Sequence, residues 1–423
     1  MSDLSAPARI PAGVIPQQRE PAPPRVGRRF VLRYAAAYTG MVMMLISPLV
    51  VTLALKLEAL DGDRAPQRLA LVAGIGAAVA MVGNPLFGRL SDRTVSRYGM
   101  RRPWMVVGLV GGTTGTVVVA VAPDLSLVVL GWALAQLFFN AVLASMLAVL
   151  PDQVPADQRG SVSGVLGVCL PLASVAGTFL VRLFNPHLVP MFLAPCVVGG
   201  GLLLWFARGL DDRRLAAAPP WSWHELASTF YVRPASSRDF LWAFSSRFLF
   251  VLAMAFLTSY EAFYVLDHLG TPKDDVAGRV FVATVVQSVF VVAASLLGGR
   301  LSDRLRRRKP FVVAASCVFG LAMLWLAVNS ALSGFYAALA LSGLGLGLYT
   351  SVDLALVVDV LPDPATAAKD LGVFNIAGAL PYSLAPALAA ACLSVGGYAA
   401  LYGVAGACGL LGAVAIVPVR GVR

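Results

Sequence analysis

Two carboxylates stand inside long apolar stretches of this sequence, where an ionisable group is a candidate for chemistry. Glu261 follows Tyr260 in Thr-Ser-Tyr-Glu-Ala-Phe-Tyr, and Asp353 follows Tyr349-Thr-Ser-Val. Apolar surroundings disfavour the charged form of a carboxylate, so such a group can alternate between a protonated and a charged state. The sequence therefore predicts that Glu261 and Asp353 take up and release a proton.

Each carboxylate also has a structural alternative. Glu261 stands near one end of its apolar stretch, from which it could reach lipid headgroups, and Asp353 could pair with a cation. That cation could be Arg247, which lies about two turns into the stretch that holds Glu261. For Arg247 three possibilities are open: an ion pair, contact with an anionic solute, and extension of its guanidinium to the membrane surface.

A group of polar and aromatic side chains is suited to binding a solute. Trp132, Gln136 and Asn140 recur at a spacing of four, so they share one face of a helix. The indole can stack on a hydroxylated ligand, and the amides can hydrogen-bond to it. The alternative is that these groups hydrogen-bond a neighbouring helix. The predicted substrate cavity comprises Trp132, Gln136, Asn140, Tyr260 and Asn375.

The elements that position these residues are apolar helices. Of the 423 residues, 58% are hydrophobic and 13% are charged, whereas a soluble domain carries about 25% charged residues. A hydrocarbon core about 30 Å thick needs roughly 20 apolar residues per helix, and residues 34–418 supply about twelve such stretches. The stretches do not alternate between polar and apolar residues, so the predicted class is an all-α membrane protein rather than a closed barrel.

The basic residues are distributed asymmetrically across the predicted membrane. The formal net charge is +11, and all but six of the 33 Lys and Arg lie on one side. Because cytoplasmic loops carry the excess of Lys and Arg, both termini are predicted to be cytoplasmic, in the plasma (inner) membrane. This pattern argues against nucleic acid as a partner. The six exceptions are Lys56, Arg64, Arg68, Arg182, Lys273 and Arg279.

A repeat divides the chain into two halves. Gly-Arg-Leu-Ser-Asp-Arg ends at Arg93 and again at Arg304, an offset of 211 residues. Val-Leu-Pro-Asp ends at Asp152 and at Asp363 with the same offset. An even number of helices per half makes the two copies parallel. The predicted domains are a disordered tail (1–33), a six-helix bundle (34–208), a linker (209–239) with an interfacial helix near 221–231, and a second bundle (240–423).

The loop from Gly88 to Trp104 resembles the signature between helices two and three of the major facilitator superfamily. The match includes Asp92, Arg93 and Arg101, and the second half repeats it at Asp303 and Arg304. The resemblance implies that these residues close a cytoplasmic gate, with Asp152, Arg159 and Asp363 of the following loops as partners. The alternatives are that the arginines only orient the protein in the membrane and that the aspartates only cap helices.

In its detailed sequence, this loop is similar to that of the glycoside–pentoside–hexuronide symporters and their sucrose-transporter relatives. The residues that carry the similarity are Ser-Asp-Arg-Thr-Val-Ser-Arg-Tyr-Gly-Met-Arg-Arg-Pro-Trp. Two positions depart from that branch. Asn84 precedes Pro-Leu where melibiose-type symporters have Asp, and Gln136 and Asn140 occupy the helix in which sucrose-type carriers have a carboxylate. The resemblance therefore leaves the sugar and the coupling ion open.

The expected function is secondary active transport by alternating access, with a proton gradient as the energy source. No phosphate-binding Gly-rich run and no His-Glu-x-x-His occurs, and the five cysteines form no Cys-x-x-Cys. We expect a monomer in the lipid bilayer that acts on a small-molecule substrate, with no enzyme activity, cofactor or metal. The leading substrate is a sugar or glycoside. The alternatives are export of drugs or natural products and a non-transporting sensor.

Overall fold

The computed structural model describes residues 25–215, 217, 238–305, 307–359 and 367–419. Of the side chains discussed above, those of Asp303 and Asn375 lie outside the described set, as do residue 363 and the segment 221–231. The helices are α1 Arg28–Leu60, α2 Ala65–Asp92, α3 Arg102–Val121, α4 Leu125–Gln153, α5 Ala156–Leu183, α6 Leu188–Gly209, α7 Arg238–His268, α8 Lys273–Leu305, α9 Lys309–Val328 and α10 Leu332–Asp359, and then α11 and α12, which together span Ala367–Ala415.

The last helical segment contains two membrane spans. Among the described residues, 11 helices are long and apolar enough to cross a membrane, with Ile376–Ala415 counted as one of 40 residues. This segment breaks at Gly396 and Gly397, where φ is −153° and +60°. A positive φ favours glycine and cannot continue a right-handed helix, so α11 ends and α12 begins here. The prediction of an all-α protein with twelve spans is confirmed.

The two halves show the same packing. In the first half α4 packs against α2 and α3, and α1 packs against α6; in the second half α10 packs against α8 and α9, and α7 against the α11–α12 segment. Small residues permit close approach: a Cβ built on Gly40 of α1 would lie 2.8 Å from the backbone of Gly199 in α6. The helix α1 begins at Arg28, so the last residues of the predicted tail 1–33 are helical; the domain boundaries stay a prediction.

With twelve spans, residues 25 and 419 lie on the same side of the bundle, which we call the terminal side. The loops that follow α2, α4, α6, α8 and α10 share that side, and the other loops lie on the far side. Between the halves, α2 packs against the α11–α12 segment, and α5 packs against α8. Sidedness relative to the cytoplasm stays a prediction.

On the far side, a contact joins α5 of the first half to α8 of the second. At the far side, the Arg182 guanidinium of α5 lies 5.4 Å from the ring centroid of Phe281 in α8. Gly164 is about five turns earlier on the same face of α5, and a Cβ built there meets no described atom within 4 Å. Therefore α5 touches α8 at the far side, and the described atoms leave the face of α5 at Gly164 uncovered.

Candidate functional site: buried charges and the ends of the cavity

Arg101 is the centre of an ion-pair network on the terminal side. Its Nε lies 2.8 Å from Oδ2 of Asp152, and its Nη1 lies 2.6 Å from Oδ1 of Asp92. The same Nη1 donates to Oγ of Ser91 at 2.8 Å. The side chain of Arg101 is buried, so these acceptors replace the water it loses on burial. The network ties the end of α2, the start of α3 and the end of α4 together.

The linker after α6 also holds the start of α3. One carboxylate oxygen of Asp212 accepts from the backbone N–H of Arg101 at 2.7 Å and of Arg102 at 2.8 Å. These N–H groups have no acceptor within the helix, because they belong to its N-terminus. Burial raises the pKa of Asp212, and the two backbone hydrogen bonds oppose that shift. Gly99, at φ +98°, leaves room for this carboxylate: a Cβ built there would lie 2.2 Å from Asp212 Oδ2.

The remaining gating residues have different surroundings. The Arg159 guanidinium donates to the carbonyls of Val154 and Pro151, both at 3.0 Å, and so caps the end of α4. Arg93 follows the last residue of α2, and the side chain of Arg304 is exposed at the end of α8. The described partners of Arg101 all lie in the first half or its linker. Closure of a gate between the halves by this cluster stays a prediction.

Arg247 and Asp353 form an ion pair inside the second half. Nη1 of Arg247 in α7 lies 2.8 Å from Oδ2 of Asp353 in α10, and the side chains are 20% and 19% exposed. A Cβ built on Gly378 of α11 would lie 3.3 Å from Nη2 of Arg247, so the pair lies beside three helices. Of the possibilities left open by the sequence, the structure shows the ion pair for both residues.

Glu261 is buried in the far-side part of α7. It is 5% exposed, and its Oε1 has no hydrogen-bond partner among the described residues. The hydroxyl of Tyr402 in α12 is likewise buried without a described partner, and the two groups are close enough to interact electrostatically. The alternative that Glu261 reaches the headgroups is wrong, because its side chain is enclosed by the protein.

Tyr260 belongs to the far-side closure. Its hydroxyl lies 3.2 Å from the carbonyl of Pro66 in α2 and 3.2 Å from that of Pro386 in α11. A single hydroxyl proton can serve only one of these acceptors at a time, but both helices meet at this side chain. The side chain of Tyr260 is completely buried in this structure, and its place in a substrate cavity stays a prediction.

The face of α4 that the sequence suggested for solute binding packs against α2. Trp132 is 2% exposed, and a Cβ built on Gly76 would lie 2.3 Å from its indole nitrogen. Asn140 donates to the Gln136 carbonyl at 2.8 Å and accepts from Asn84 at 3.4 Å. Trp132 and Asn140 therefore contact α2 in this structure, which is the alternative that the sequence left open; their place in a substrate cavity stays a prediction. Gln136 is half-buried, and its role in binding stays a prediction.

Several functional candidates have no motif in the sequence. At the far side, Lys273 of α8 lies 2.9 Å from Glu58 of α1, and Asn185 donates to the Asp274 carbonyl. Both contacts join the two halves. The signal that could have found the ion pair was the position of Lys273, one of six basic residues outside the positive-inside pattern. Within the described ranges, no three His, Cys, Asp or Glu side chains cluster as metal ligands would.

The sequence is similar to two known proteins over short segments. It is 38% identical to a triacylglyceride transporter of Mycolicibacterium smegmatis over 105 residues, a segment that covers 24% of this chain and 18% of that protein. It is 29% identical over 100 residues to multidrug resistance protein 3 of Bacillus subtilis, 24% of this chain and 19% of that protein. The matched segment thus spans less than a fifth of each relative.

The fold is similar to that of solved transporters. A mutant of the nucleoside transporter NupG superposes with a TM-score of 0.74 at 12% identity, covering 92% of this chain and 99% of that one. The peptide transporter POT gives a TM-score of 0.74 at 13% identity, over 95% and 98%. At such identities the likeness shows the fold alone. The model of the Major Facilitator Superfamily matches residues 32–287 and 243–422. The chain, a multi-pass membrane transporter, therefore belongs to the Major Facilitator Superfamily.

Proposed function

We propose that this protein exchanges protons for an amphipathic organic solute, which it exports across the plasma membrane with both termini in the cytoplasm. The observation that carries the proposal is Glu261, a carboxylate buried in α7 with an oxygen that has no described hydrogen-bond partner. In this assignment the terminal side is cytoplasmic. The solute enters between the halves from that side, and the far-side contacts prevent its escape.

The proton assignment follows from the cost of burying a charge. An ionised carboxylate without a partner is strongly disfavoured in an apolar interior, so the protonated form of Glu261 suits the present conformation. Arg247 lies 14 residues away on the same helix, about 21 Å, and is paired with Asp353. The ionised form of Glu261 becomes favourable only when a rearrangement gives it water or a cation. Proton release is thereby linked to the change of conformation.

The ion pair between Arg247 and Asp353 has a different role in this proposal. It stabilises the contact of α7 with α10 while the halves rock, and it leaves Glu261 as the group that carries the proton. Replacing Asp353 should then alter stability more than coupling. Proton coupling through Asp353, as predicted from the sequence, is the competing assignment.

The nature of the solute is supported by two findings. Trp132 and Asn140, the side chains that favoured a sugar, are used to pack α4 against α2. The similar segments of known sequence belong to a triacylglyceride transporter and a multidrug resistance protein. An amphipathic or lipid-like solute fits both findings better than a highly hydroxylated one.

Sugar uptake is a second candidate, favoured by one observation. The loop from Gly88 to Trp104 has a sequence similar to that of the glycoside symporters, and the amide side chain of Gln136 on α4 is half-buried. In that case protons and sugar would move together toward the cytoplasm rather than in opposite directions.

Transport by the full chain in proteoliposomes tests these alternatives. Vesicles with an acidic lumen are offered either ethidium, an amphipathic dye, or radiolabelled sucrose and melibiose. We expect ethidium to accumulate in the lumen and the sugars to stay outside.

Glu261→Gln should abolish accumulation but retain dye exchange without a gradient. Asp274→Asn, which alters an exposed carboxylate on the far side, should behave as the unaltered protein. Accumulation by Glu261→Gln at the normal rate would refute the assignment of Glu261. Proton-driven sugar movement without dye movement would establish the second candidate.

A further inference from the structure

A second carboxylate lies close to Glu261, at the far-side surface. Asp267 is six residues further along α7, about 9 Å of helix rise, and its side chain is exposed. Its Oδ2 accepts from the hydroxyl of Tyr398 at 2.7 Å. Tyr398 is at the beginning of α12, directly after the break at Gly397. An exposed proton acceptor, Asp267, is thus hydrogen-bonded to the hydroxyl of a half-buried tyrosine.

A second tyrosine, Tyr402, lies further inside the protein than Tyr398. Tyr402 follows Tyr398 by one helical turn, so both side chains lie on the same face of α12. Both rings pack edge-on against the ring of Tyr264 in α7, with centroid separations of 5.7 Å and 5.1 Å. The Tyr264 hydroxyl itself donates to backbone carbonyls at Leu326 or Asn329. Tyr264 therefore supports the two rings but is not a free proton carrier.

Deeper in the protein, two buried polar atoms have no described hydrogen-bond partner. They are Oε1 of Glu261 and the hydroxyl of Tyr402, and the side chain of Tyr402 is completely buried. A buried hydroxyl left without a partner costs about 1 to 3 kcal/mol. A phenylalanine at position 402 would pack in the same way without this cost. The position of Tyr402 beside Glu261 gives its hydroxyl a use as a proton donor to that carboxylate.

We infer that Asp267, Tyr398 and Tyr402 form a proton path from the far side to Glu261 that works while the solute route on that side is closed. The inference rests on the proposed role of Glu261 as the proton carrier. Every residue of the path belongs to the second half, so it does not require the contacts between the halves to open. Asp267 has Lys273 and Glu58 as charged neighbours, which come from α8 and α1. His268 lies next to it and contacts the Asn329 carbonyl at 3.0 Å.

The transfer balances at each residue. Asp267 takes a proton from far-side water and gives it to the oxygen of Tyr398, which releases its own hydroxyl proton toward Tyr402. Tyr402 accepts that proton and gives its own to Oε1 of Glu261. The handover between the two hydroxyls and the one from Tyr402 to Glu261 each need a bridging water or a side-chain rotation, because neither the Tyr402 hydroxyl nor Oε1 of Glu261 has a described partner here. One proton enters Glu261, and both tyrosines end as they began.

The rate at which Glu261 is protonated tests the path. The full chain is reconstituted with its far side toward the bath, the bath is acidified rapidly, and the infrared absorption of the carboxylic acid is followed. The band that disappears in Glu261→Gln is assigned to this residue. We expect Tyr402→Phe, Tyr398→Phe and Asp267→Asn each to slow its appearance by about tenfold or more. Tyr336→Phe, a half-buried far-side tyrosine outside the path, should leave the rate unchanged.

The outcomes separate the path from the function on which it rests. If Glu261→Gln keeps gradient-driven dye accumulation, the proposed proton carrier is wrong whatever the rates show. If Glu261→Gln abolishes accumulation but Tyr402→Phe and Tyr398→Phe protonate Glu261 at the normal rate, the path is refuted and the carrier stands. If the tyrosine variants also lose dye exchange without a gradient, their role is structural and the path is likewise refuted. Slower protonation with normal exchange supports the path.

Discussion

At the scale of residues, the structure divides the intramembrane charges into two kinds. Arg247 and Asp353 neutralise each other at 2.8 Å, whereas Glu261 is buried with an oxygen that has no described partner. Breaking a buried ion pair leaves a charge uncompensated, while removing both charges does not. An isolated buried carboxylate is instead most stable when protonated. The two sites should therefore respond differently to neutralisation.

Asp353→Asn should destabilise the protein by about 2 to 4 kcal/mol, because Arg247 is left without its carboxylate. The free energy of unfolding in mixed micelles measures the effect. The double variant Arg247→Gln with Asp353→Asn should lose less than the single variants together, since neither charge then remains. Additive losses would show that the two side chains do not stabilise the protein as a pair.

The identity of these residues could be predicted from the sequence, but their surroundings could not. A charged residue in an apolar stretch is visible without a structure, and the pairing of Asp353 with Arg247 was among the alternatives. The face of α4 was ambiguous, because spacing shows that Trp132 and Asn140 share a side but not which neighbour that side meets. That depends on contact with Gly76 and Asn84 of another helix.

At the scale of elements, the linker after α6 acts as a cap for α3. Asp212 satisfies two backbone N–H groups at the start of that helix, next to the Arg101 network. Neighbouring backbone contacts strengthen the attachment: the Arg213 carbonyl accepts from Met100 at 3.0 Å, and the Asp211 carbonyl accepts from Gln153 at 2.6 Å. The signature loop is therefore positioned from a segment about 110 residues further along the chain.

Asp212→Ala should lower the stability of the first half by about 0.5 to 2 kcal/mol, the usual effect of losing an N-terminal cap. It should also make the linker more susceptible to proteolysis, which is measured by limited trypsin digestion in detergent. Asp211→Ala is the matched control, because only its backbone carbonyl is used. Equal digestion rates for the two variants would mean that the Asp212 carboxylate does not hold the linker.

The break between α11 and α12 illustrates what local sequence can predict about elements. The pair at 396 and 397 are glycines inside a long apolar segment, and such a pair marks a break because one of them needs a positive φ. In contrast, the capping role of Asp212 depends on a contact between distant parts of the chain. Residue spacing within one element gives no information about it.

At the scale of the whole molecule, several described contacts between the halves lie on the far side. The repeat with an offset of 211 residues predicts two similar bundles, but it does not predict which side is open. That depends on contacts between the bundles, such as Lys273 with Glu58 and Arg182 with Phe281. Since rocking of two bundles requires these contacts to break and re-form, their strength sets the balance between the two conformations.

Lys273→Glu should shift this balance toward a conformation with an open far side, because it places two carboxylates where an ion pair stood. Spin labels on the far-side ends of α5 and α8 report the change as longer distances in pulsed electron resonance. Exchanging the charges with Glu58→Lys in the same protein should restore the shorter distances. The ion-pair account would be abandoned if the single and exchanged variants gave the same distance distribution.

The most direct test of proton exchange through Glu261 is the movement of protons driven by the solute. Ethidium is added to lightly buffered proteoliposomes that contain the pH dye pyranine, with no gradient imposed. Dye entry should make the lumen alkaline, because each inward step of solute is matched by outward movement of a proton. Glu261→Gln should exchange dye without any change of lumen pH. Alkalinisation by Glu261→Gln equal to that of the unaltered protein would contradict the account.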